Sequence, residues 1–125
     1  MTSSRPAALI VEDQPFVGMV ASDILRESGF DTFHAFDAAD AATVLDQHPE
    51  IEVVVTDAEL SGAVDGLELA RRVSRERPGV QVVVTAAGHR LTAKEVPQGA
   101  RVLRKPYASG ELKTLVAAKT LLADA

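Results

Sequence analysis

The sequence predicts an α/β domain in which a parallel β-sheet carries helices on both faces. Short apolar, β-branched runs are typical of strands buried on both sides of such a sheet, and they occur at residues 8–11, 53–56, 82–84 and 100–104. Helical patterns separate these runs, and this alternation indicates right-handed β-α-β connections. A weaker run at residues 31–36 is expected to form a fifth strand at one edge of the sheet.

Length and composition limit the possible classes of protein. The chain has 125 residues, so we expect a single domain over residues 1–125 with no output domain. The net charge of −5 argues against direct nucleic-acid binding, because neutralising phosphates requires clustered Lys and Arg. No apolar run approaches the ~20 residues that span a bilayer, and no signal-peptide core is present. Since cysteine is also absent, we expect a cytoplasmic protein without membrane insertion.

Four helices have readable boundaries. Asp13 and Pro15 are expected to begin the first helix, with Asp13 as a candidate cap. Asp37 is expected to cap the second helix, and residues 77–79 should end the third because they include a proline and a glycine. Ser109 is expected to open the last helix, in which leucine and valine recur at helical spacing.

The segment at residues 86–99 is unusual for a connection between two strands. Thr92 and Glu95 form a possible capping box, but Pro97 leaves room for barely one turn after it. We therefore expect a stub helix or an ordered loop where a regular helix would complete the alternation.

Side chains suited to phosphoryl chemistry follow or end four of the predicted strands. Glu12 and Asp13 follow the first, and Asp57, Thr85 and Lys105 stand at the ends of three others. The carboxyl ends of parallel strands meet at one edge of the sheet, so these groups should share a crevice. Three unpaired carboxylates would repel one another, and a hard cation such as Mg²⁺ removes that cost. The pattern predicts a Mg²⁺ site with Asp13 and Asp57 as ligands and Glu12 bound directly or through water.

Asp57 is also a candidate nucleophile. An aspartate carboxylate can attack phosphorus and form an acyl phosphate. Lys105 would supply positive charge to the phosphoryl group, and the Thr85 hydroxyl and the Ala86 backbone N–H could donate hydrogen bonds to it. The three histidines have no metal-ligand spacing and are interpreted as surface or edge residues; they are His34, His48 and His89.

Taken in order, these residues resemble the receiver domains of two-component response regulators. The resemblance covers the whole chain and rests on Glu12-Asp13, Asp57, Asp65-Gly66, Thr85-Ala86 and Lys105-Pro106. It implies a flavodoxin-like sheet in the order 2-1-3-4-5 with five flanking helices, of which the fourth is short or irregular here. It also implies a cis peptide bond between Lys105 and Pro106.

The same resemblance implies a function and its partners. A sensor histidine kinase or a histidine phosphotransfer protein would supply a phosphoryl group to Asp57 in a Mg²⁺-dependent reaction. The backbone carbonyl of Glu59 would be a further metal ligand, in addition to Glu12, Asp13 and Asp57. The first helix would dock the kinase, and an unknown protein effector would respond to the phosphorylated surface.

The sequence departs from the family pattern at several positions. Val102 stands where an aromatic residue is usual, so we expect the signal to leave through Thr85 and residues 86–99 instead of an aromatic rotamer. Asp65 lies one position further from the acceptor than in the commoner pattern, and Ser61 stands where proline is frequent. Glu59 and Ala87 occupy the two variable positions that tune loss of the phosphoryl group, and their combined effect is ambiguous.

Two other functions remain open from the residues. A phosphohydrolase with an aspartate nucleophile needs a second acid two positions later, and Glu59 has that offset, but no cap or substrate-binding insertion is present. An interaction module that has lost the chemistry would be expected to lack the acceptor, an acidic residue or the lysine, and all are present. No glycine-rich phosphate loop follows a strand, which argues against nucleotide or flavin binding.

Overall fold

Strands and helices alternate along the chain, with one exception between the last two strands. The computed structural model describes residues 5–87, 91 and 94–124. The elements are β1 (Ala7–Val11), α1 (Pro15–Glu27), β2 (Asp31–Ala35), α2 (Ala38–Gln47), β3 (Ile51–Asp57), α3 (Gly66–Glu76), β4 (Gln81–Ala87), β5 (Arg101–Lys105) and α4 (Ser109–Asp124). No helix within those ranges combines the length and the apolar character needed to cross a membrane.

All five strands belong to one sheet in the order β2-β1-β3-β4-β5, and every neighbouring pair is parallel. This order confirms the predicted flavodoxin-like fold, and β2 lies at an edge as expected. The sheet runs in register toward its carboxyl edge, where Asp57 pairs with Thr85 and Ala87 pairs with Lys105. The strands that carry the candidate site residues are therefore neighbours in space.

Helices cover both faces of the sheet, and alternate residues of β1 show the division. Leu9 belongs to the core cluster with residues of α2 and α3, whereas Ile10 belongs to the cluster with residues of α1 and α4. Both side chains are almost fully buried. Because successive side chains of a strand point to opposite faces, one short apolar run fills two cores.

The predicted cap of α2 is confirmed, and that of α1 is wrong. Asp37 accepts a hydrogen bond from the Asp40 backbone N–H at 2.8 Å. The N-cap of α1 is Gln14, and no side chain caps that helix. Asp13 does not serve there because its Oδ2 accepts hydrogen bonds from the backbone N–H and the hydroxyl of Ser61, at 3.1 and 2.7 Å.

The segment before β5 contains no helix in its described part, residues 91 and 94–100. The resemblance implied five helices, and the described residues form four. The Ala100 N–H donates to the Pro97 carbonyl in a tight turn, and Gly99 has a φ of 88°, a conformation in which an α-helix cannot continue. Thr92, the start of the expected capping box, lies outside the described residues.

Gly66, the first residue of α3, lies directly against the backbone of the last residue of β3. Its N–H donates to the Ala58 carbonyl oxygen at 3.1 Å. A Cβ at position 66 would overlap the carbonyl oxygen of Asp57. Since backbone atoms on both sides make the contact, neither side can move away cheaply, and only glycine fits.

We expect Gly66→Ala to lower the free energy of unfolding by roughly 1–3 kcal/mol, the typical cost of overpacking a well-packed site. Urea denaturation of the metal-free protein measures the change. Gly79→Ala is the matched control, since a Cβ there meets nothing within 4 Å. Equal stability of the two variants would contradict the close approach.

Candidate functional site

The carboxyl ends of four neighbouring strands form one small cleft. Glu12 follows β1, Asp57 ends β3, Thr85 lies in β4, and Lys105 ends β5. All four line the same cleft, together with Tyr107. The structure therefore brings together four of the side chains that the sequence singled out.

Three carboxylates meet at this cleft. One oxygen from each of Glu12, Asp13 and Asp57 lies within 4.8 Å of the others. Glu12 is 3% exposed and Asp57 is 9% exposed, so water screens their mutual repulsion poorly.

Lys105 lies between two of these carboxylates. Its Nζ is 2.8 Å from Glu12 Oε1 and 3.2 Å from Asp57 Oδ2. Burial alone would lower the pKa of Lys105, but the two carboxylates outweigh it and hold the pKa above its ordinary value. The ammonium group is thus a fixed positive centre in contact with the candidate acceptor. The following Lys105–Pro106 peptide bond is cis, as predicted.

Glu12 is the least exposed of the three carboxylates. Burial raises its pKa, the hydrogen bond and charge of Lys105 oppose that rise, and the charge of Asp57 adds to it, so the net shift is upward. Its second oxygen, Oε2, accepts a hydrogen bond from the Gln14 N–H at 3.2 Å. A proton or a further cation would therefore stabilise this side chain.

The pKa of Asp13 is shifted in the opposite direction, downward. The Ser61 hydroxyl, which donates to it, lowers the pKa of the Asp13 carboxyl more than burial raises it. Ser61 makes this contact with both its hydroxyl and its backbone N–H. Proline, which is frequent at this position in the resembling family, has neither donor. The departure at Ser61 thus has a structural role, since it ties the loop after β3 to the acidic pair.

Backbone hydrogen bonds hold the candidate acceptor and its loop. The Glu59 N–H donates to Asp57 Oδ1 at 3.1 Å, and the Glu59 side chain is exposed. The next residue after Asp57, Ala58, donates its N–H to the Thr85 carbonyl at 2.7 Å. Thr85 and Ala86 are both buried in β4. The acceptor loop is therefore attached directly to the strand that carries the candidate hydroxyl.

The chemistry of this donor set fits Mg²⁺. That ion prefers carboxylate oxygens and retains several waters, and Glu12, Asp13 and Asp57 offer one oxygen each within 4.8 Å of one another. A single ammonium group faces the three carboxylates here, which leaves an excess of negative charge among the described residues. An added cation is what this imbalance favours.

Sequence reasoning missed one residue that contacts the site. It placed His34 at the surface or an edge, and His34 does lie on the edge strand β2. Its ring Nε2 is also 3.0 Å from the backbone carbonyl oxygen of Glu12. The signal that could have indicated this contact is the expected sheet order 2-1-3-4-5, because it places the end of β2 beside the end of β1, as the structure does.

Comparisons with known proteins agree with this geometry. The family model described as the response regulator receiver domain matches residues 8–117. The chain belongs to that family. Its acidic cluster fits the phosphorylation and Mg²⁺ site of receiver domains, which are signalling modules of two-component systems.

Solved structures share the fold of this receiver domain. A response regulator receiver domain protein from Clostridium thermocellum matches with a TM-score of 0.83 at 19% identity, over 95% of this chain and 97% of that one. A response regulator receiver protein from Sinorhizobium medicae matches with a TM-score of 0.86 at 24% identity, over 93% and 94%. A third match, a two-component response regulator/GGDEF domain protein, has a TM-score of 0.82 and 22% identity, and the alignment covers 96% of this chain but 51% of the longer one.

One family feature is absent from the described part of this receiver domain. Val102, at the usual aromatic position, pairs with Val84 across the sheet and is 42% exposed. It has no ring that could swing inward behind Thr85. The described residues therefore bring the candidate site side chains together, with valine at position 102.

We expect the metal-free protein to lose stability as the pH rises from about 4.5 through the raised pKa of Glu12. The folded state holds that proton more tightly than the unfolded chain, so the free energy of unfolding falls over this window. Glu12→Gln should remove this part of the slope in urea denaturation at several pH values. Glu52→Gln is the matched control, because it removes an exposed carboxylate outside the cleft; loss of the same slope in that variant would contradict the assignment.

Ser61→Ala is expected to raise the pKa of Asp13 toward its ordinary 3.8, because the serine hydroxyl is the main cause of the lowered value. Carboxyl carbon-13 NMR titration of the metal-free protein measures it. The lowered pKa of Glu50 comes from its own backbone N–H and from His48, so it should stay as it is. An unchanged Asp13 titration would show that the hydroxyl contact is not formed in solution.

Proposed function

We propose that this receiver domain accepts a phosphoryl group on Asp57 from a phosphohistidine of a sensor histidine kinase or a histidine phosphotransfer protein. The observation that carries the proposal is the position of the Asp57 carboxylate, which lies between Lys105 Nζ and the Glu59 N–H and beside two further carboxylates. Mg²⁺ is the proposed cofactor, held by Glu12, Asp13, Asp57 and the backbone carbonyl of Glu59. A protein effector that binds the altered surface is the proposed output.

The transfer is a nucleophilic substitution at phosphorus. A carboxylate oxygen of Asp57 forms a bond to phosphorus while the phosphorus–nitrogen bond of the phosphohistidine breaks, and the electron pair leaves with the imidazole nitrogen. Lys105 offsets the charge of the phosphoryl oxygens from its fixed place at 3.2 Å from Asp57 Oδ2. Bound Mg²⁺ would add further positive charge at the same oxygens.

Thr85 and Ala86 are the proposed sensors of the bound group. The Thr85 hydroxyl and the Ala86 N–H would donate hydrogen bonds to a phosphoryl oxygen, which would pull on β4. Support comes from the hydrogen bond between the Ala58 N–H and the Thr85 carbonyl, which couples the acceptor loop to that strand. Because Val102 lacks a ring, we propose that the change continues into residues 86–99. The coupling between such states is typically ~1–3 kcal/mol.

The exposed face of α1 is the proposed docking site for the phosphohistidine donor. Phe16 is 71% exposed and Val20 is 41% exposed. Both line an apolar groove that continues over Pro106 and Tyr107 to Lys105. A partner helix lying in this groove would bring its histidine to the mouth of the cleft.

Incubation with acetyl phosphate and Mg²⁺ should add the mass of one phosphoryl group per chain, as measured by intact-mass spectrometry. Asp57→Ala should abolish the addition, because it removes the only proposed nucleophile. Glu52→Ala, an exposed acidic residue of the same strand, should still be phosphorylated. Phosphorylation that survives in Asp57→Ala would place the acceptor elsewhere.

A turnover assay on the same protein distinguishes the proposed function from the phosphohydrolase alternative. Incubation with an aryl phosphate in molar excess should release no more than about one equivalent of the aryl alcohol over the time of labelling. Repeated turnovers that depend on Asp57 would instead support a phosphohydrolase with Glu59 as its general acid.

A further inference from the structure

His34 reaches from the edge strand β2 to the loop that carries the acidic pair. Its Nε2 lies 3.0 Å from the backbone carbonyl oxygen of Glu12. A carbonyl can only accept a hydrogen bond, so Nε2 must carry the proton and donate. The ring of Phe36 lies over the imidazole at a centroid distance of 4.5 Å, which restricts its orientation.

Gly18 provides the space that the imidazole occupies. It lies in the first turns of α1, where glycine costs about 1 kcal/mol relative to alanine. A Cβ at this position would collide with the near side of the His34 ring and would approach Nδ1 to 3.3 Å. The glycine and the histidine are therefore a matched pair, in which the small residue allows the ring to reach the loop.

The hydrogen bond from His34 restrains the peptide group between Glu12 and Asp13, two of the three clustered acidic residues. The Glu12 carbonyl belongs to the same planar unit as the Asp13 N–H, so fixing its direction also fixes how the chain enters Asp13. The Glu12 side chain is already held at both oxygens, by Lys105 and by the Gln14 N–H. The Asp13 side chain is held by Ser61, and the Glu12 N–H donates to the Ala35 carbonyl, so the His34 hydrogen bond adds a restraint on the peptide group that lies between these anchored groups.

We propose that His34, seated against Gly18, is a positioning residue that orients the Glu12–Asp13 peptide for binding of the divalent cation. This inference rests on the proposed function, since it deepens the description of the same cation site. The imidazole touches neither the cation nor the phosphoryl group in this proposal and acts only through the Glu12 carbonyl. Groups that hold the ligands of a metal commonly change metal affinity by ~10–100-fold when they are removed.

Three substitutions separate the hydrogen bond from the packing of the ring. His34→Phe keeps a ring without a donor and is expected to raise the Mg²⁺ dissociation constant by about tenfold in isothermal titration calorimetry. His34→Gln keeps an N–H donor and should stay within about twofold of the wild type. His48→Phe is the matched control, because His48 stacks on Phe33 at 4.0 Å and bonds to Glu50 instead of the cleft.

Amide hydrogen exchange of the metal-free variants gives a readout that needs no bound cation. Exchange at residues 12–14 should accelerate in His34→Phe and not in His34→Gln or His48→Phe. If His34→Phe does not fold, as judged by circular dichroism, His34→Leu takes its place with the same expected result.

Gly18→Ala tests the pair from the other side. It should raise the Mg²⁺ dissociation constant in the wild type, where the new Cβ displaces the ring, although alanine favours the helix. In a His34→Ala background the ring is gone, and Gly18→Ala should change the constant no further. A non-zero coupling in this double-mutant cycle is the signature of the pair.

The outcomes also separate this inference from the proposed function. If the wild type binds Mg²⁺ and is phosphorylated on Asp57 while His34→Phe binds Mg²⁺ equally well, the positioning role is wrong and the proposed function stands. Weakening in His34→Gln without weakening in His34→Phe would also overturn the role, because it would show that ring packing matters and the donor does not. A wild type that binds no Mg²⁺ would overturn both.

Discussion

One ammonium group shared by two buried carboxylates is the interaction on which the cleft depends. Lys105 Nζ contacts both Glu12 and Asp57, and Asp13 adds a third negative charge within 4.8 Å of them. Removing such charges from water is costly unless each has a partner. The lysine reaches them only because β5 is in register with β4, and β4 with β3, so that all these strands end at one edge of the sheet. The parallel sheet is thus the means by which residues far apart in sequence share a charge.

Two glycines with close neighbours support this arrangement. Gly66 brings the start of α3 against the carbonyl of Asp57, and Gly18 leaves room for His34 beside the Glu12 carbonyl. Gly18 lies inside α1, where the intrinsic helix propensity of glycine is unfavourable, and Gly66 is the first residue of α3. A Cβ at position 66 would overlap the Asp57 carbonyl oxygen, and a Cβ at position 18 would overlap the His34 ring. Packing therefore constrains the backbone at the candidate acceptor and at the acidic pair, in addition to the charges.

Sequence patterns that span a few residues predicted most of the fold. The features that they did not predict depend on contacts between residues far apart in the sequence. The buried strands and the Asp37 cap follow from runs and spacings within a few residues, which is why sequence alone located them. Asp13 satisfied the same local capping rule, but a serine 48 positions away holds its carboxylate instead. His34 gave no local signal, because its role arises from the pairing of β1 with β2. The strand ends predicted which side chains would meet, but not how the chain between them would be oriented.

Under the proposed function, the contact of Lys105 with both Glu12 and Asp57 would affect how a change at Asp57 reaches the rest of the protein. A phosphoryl group on Asp57 adds negative charge within reach of the ammonium, and Lys105 would then be drawn from Glu12 toward the new oxygens. Lys105 ends β5, whose Val102 is exposed and lacks a ring, so that strand has no aromatic group to move inward. β4 is attached to the acceptor loop by the Ala58–Thr85 hydrogen bond at 2.7 Å. Under the proposed function, the direct mechanical connection would therefore run through β4.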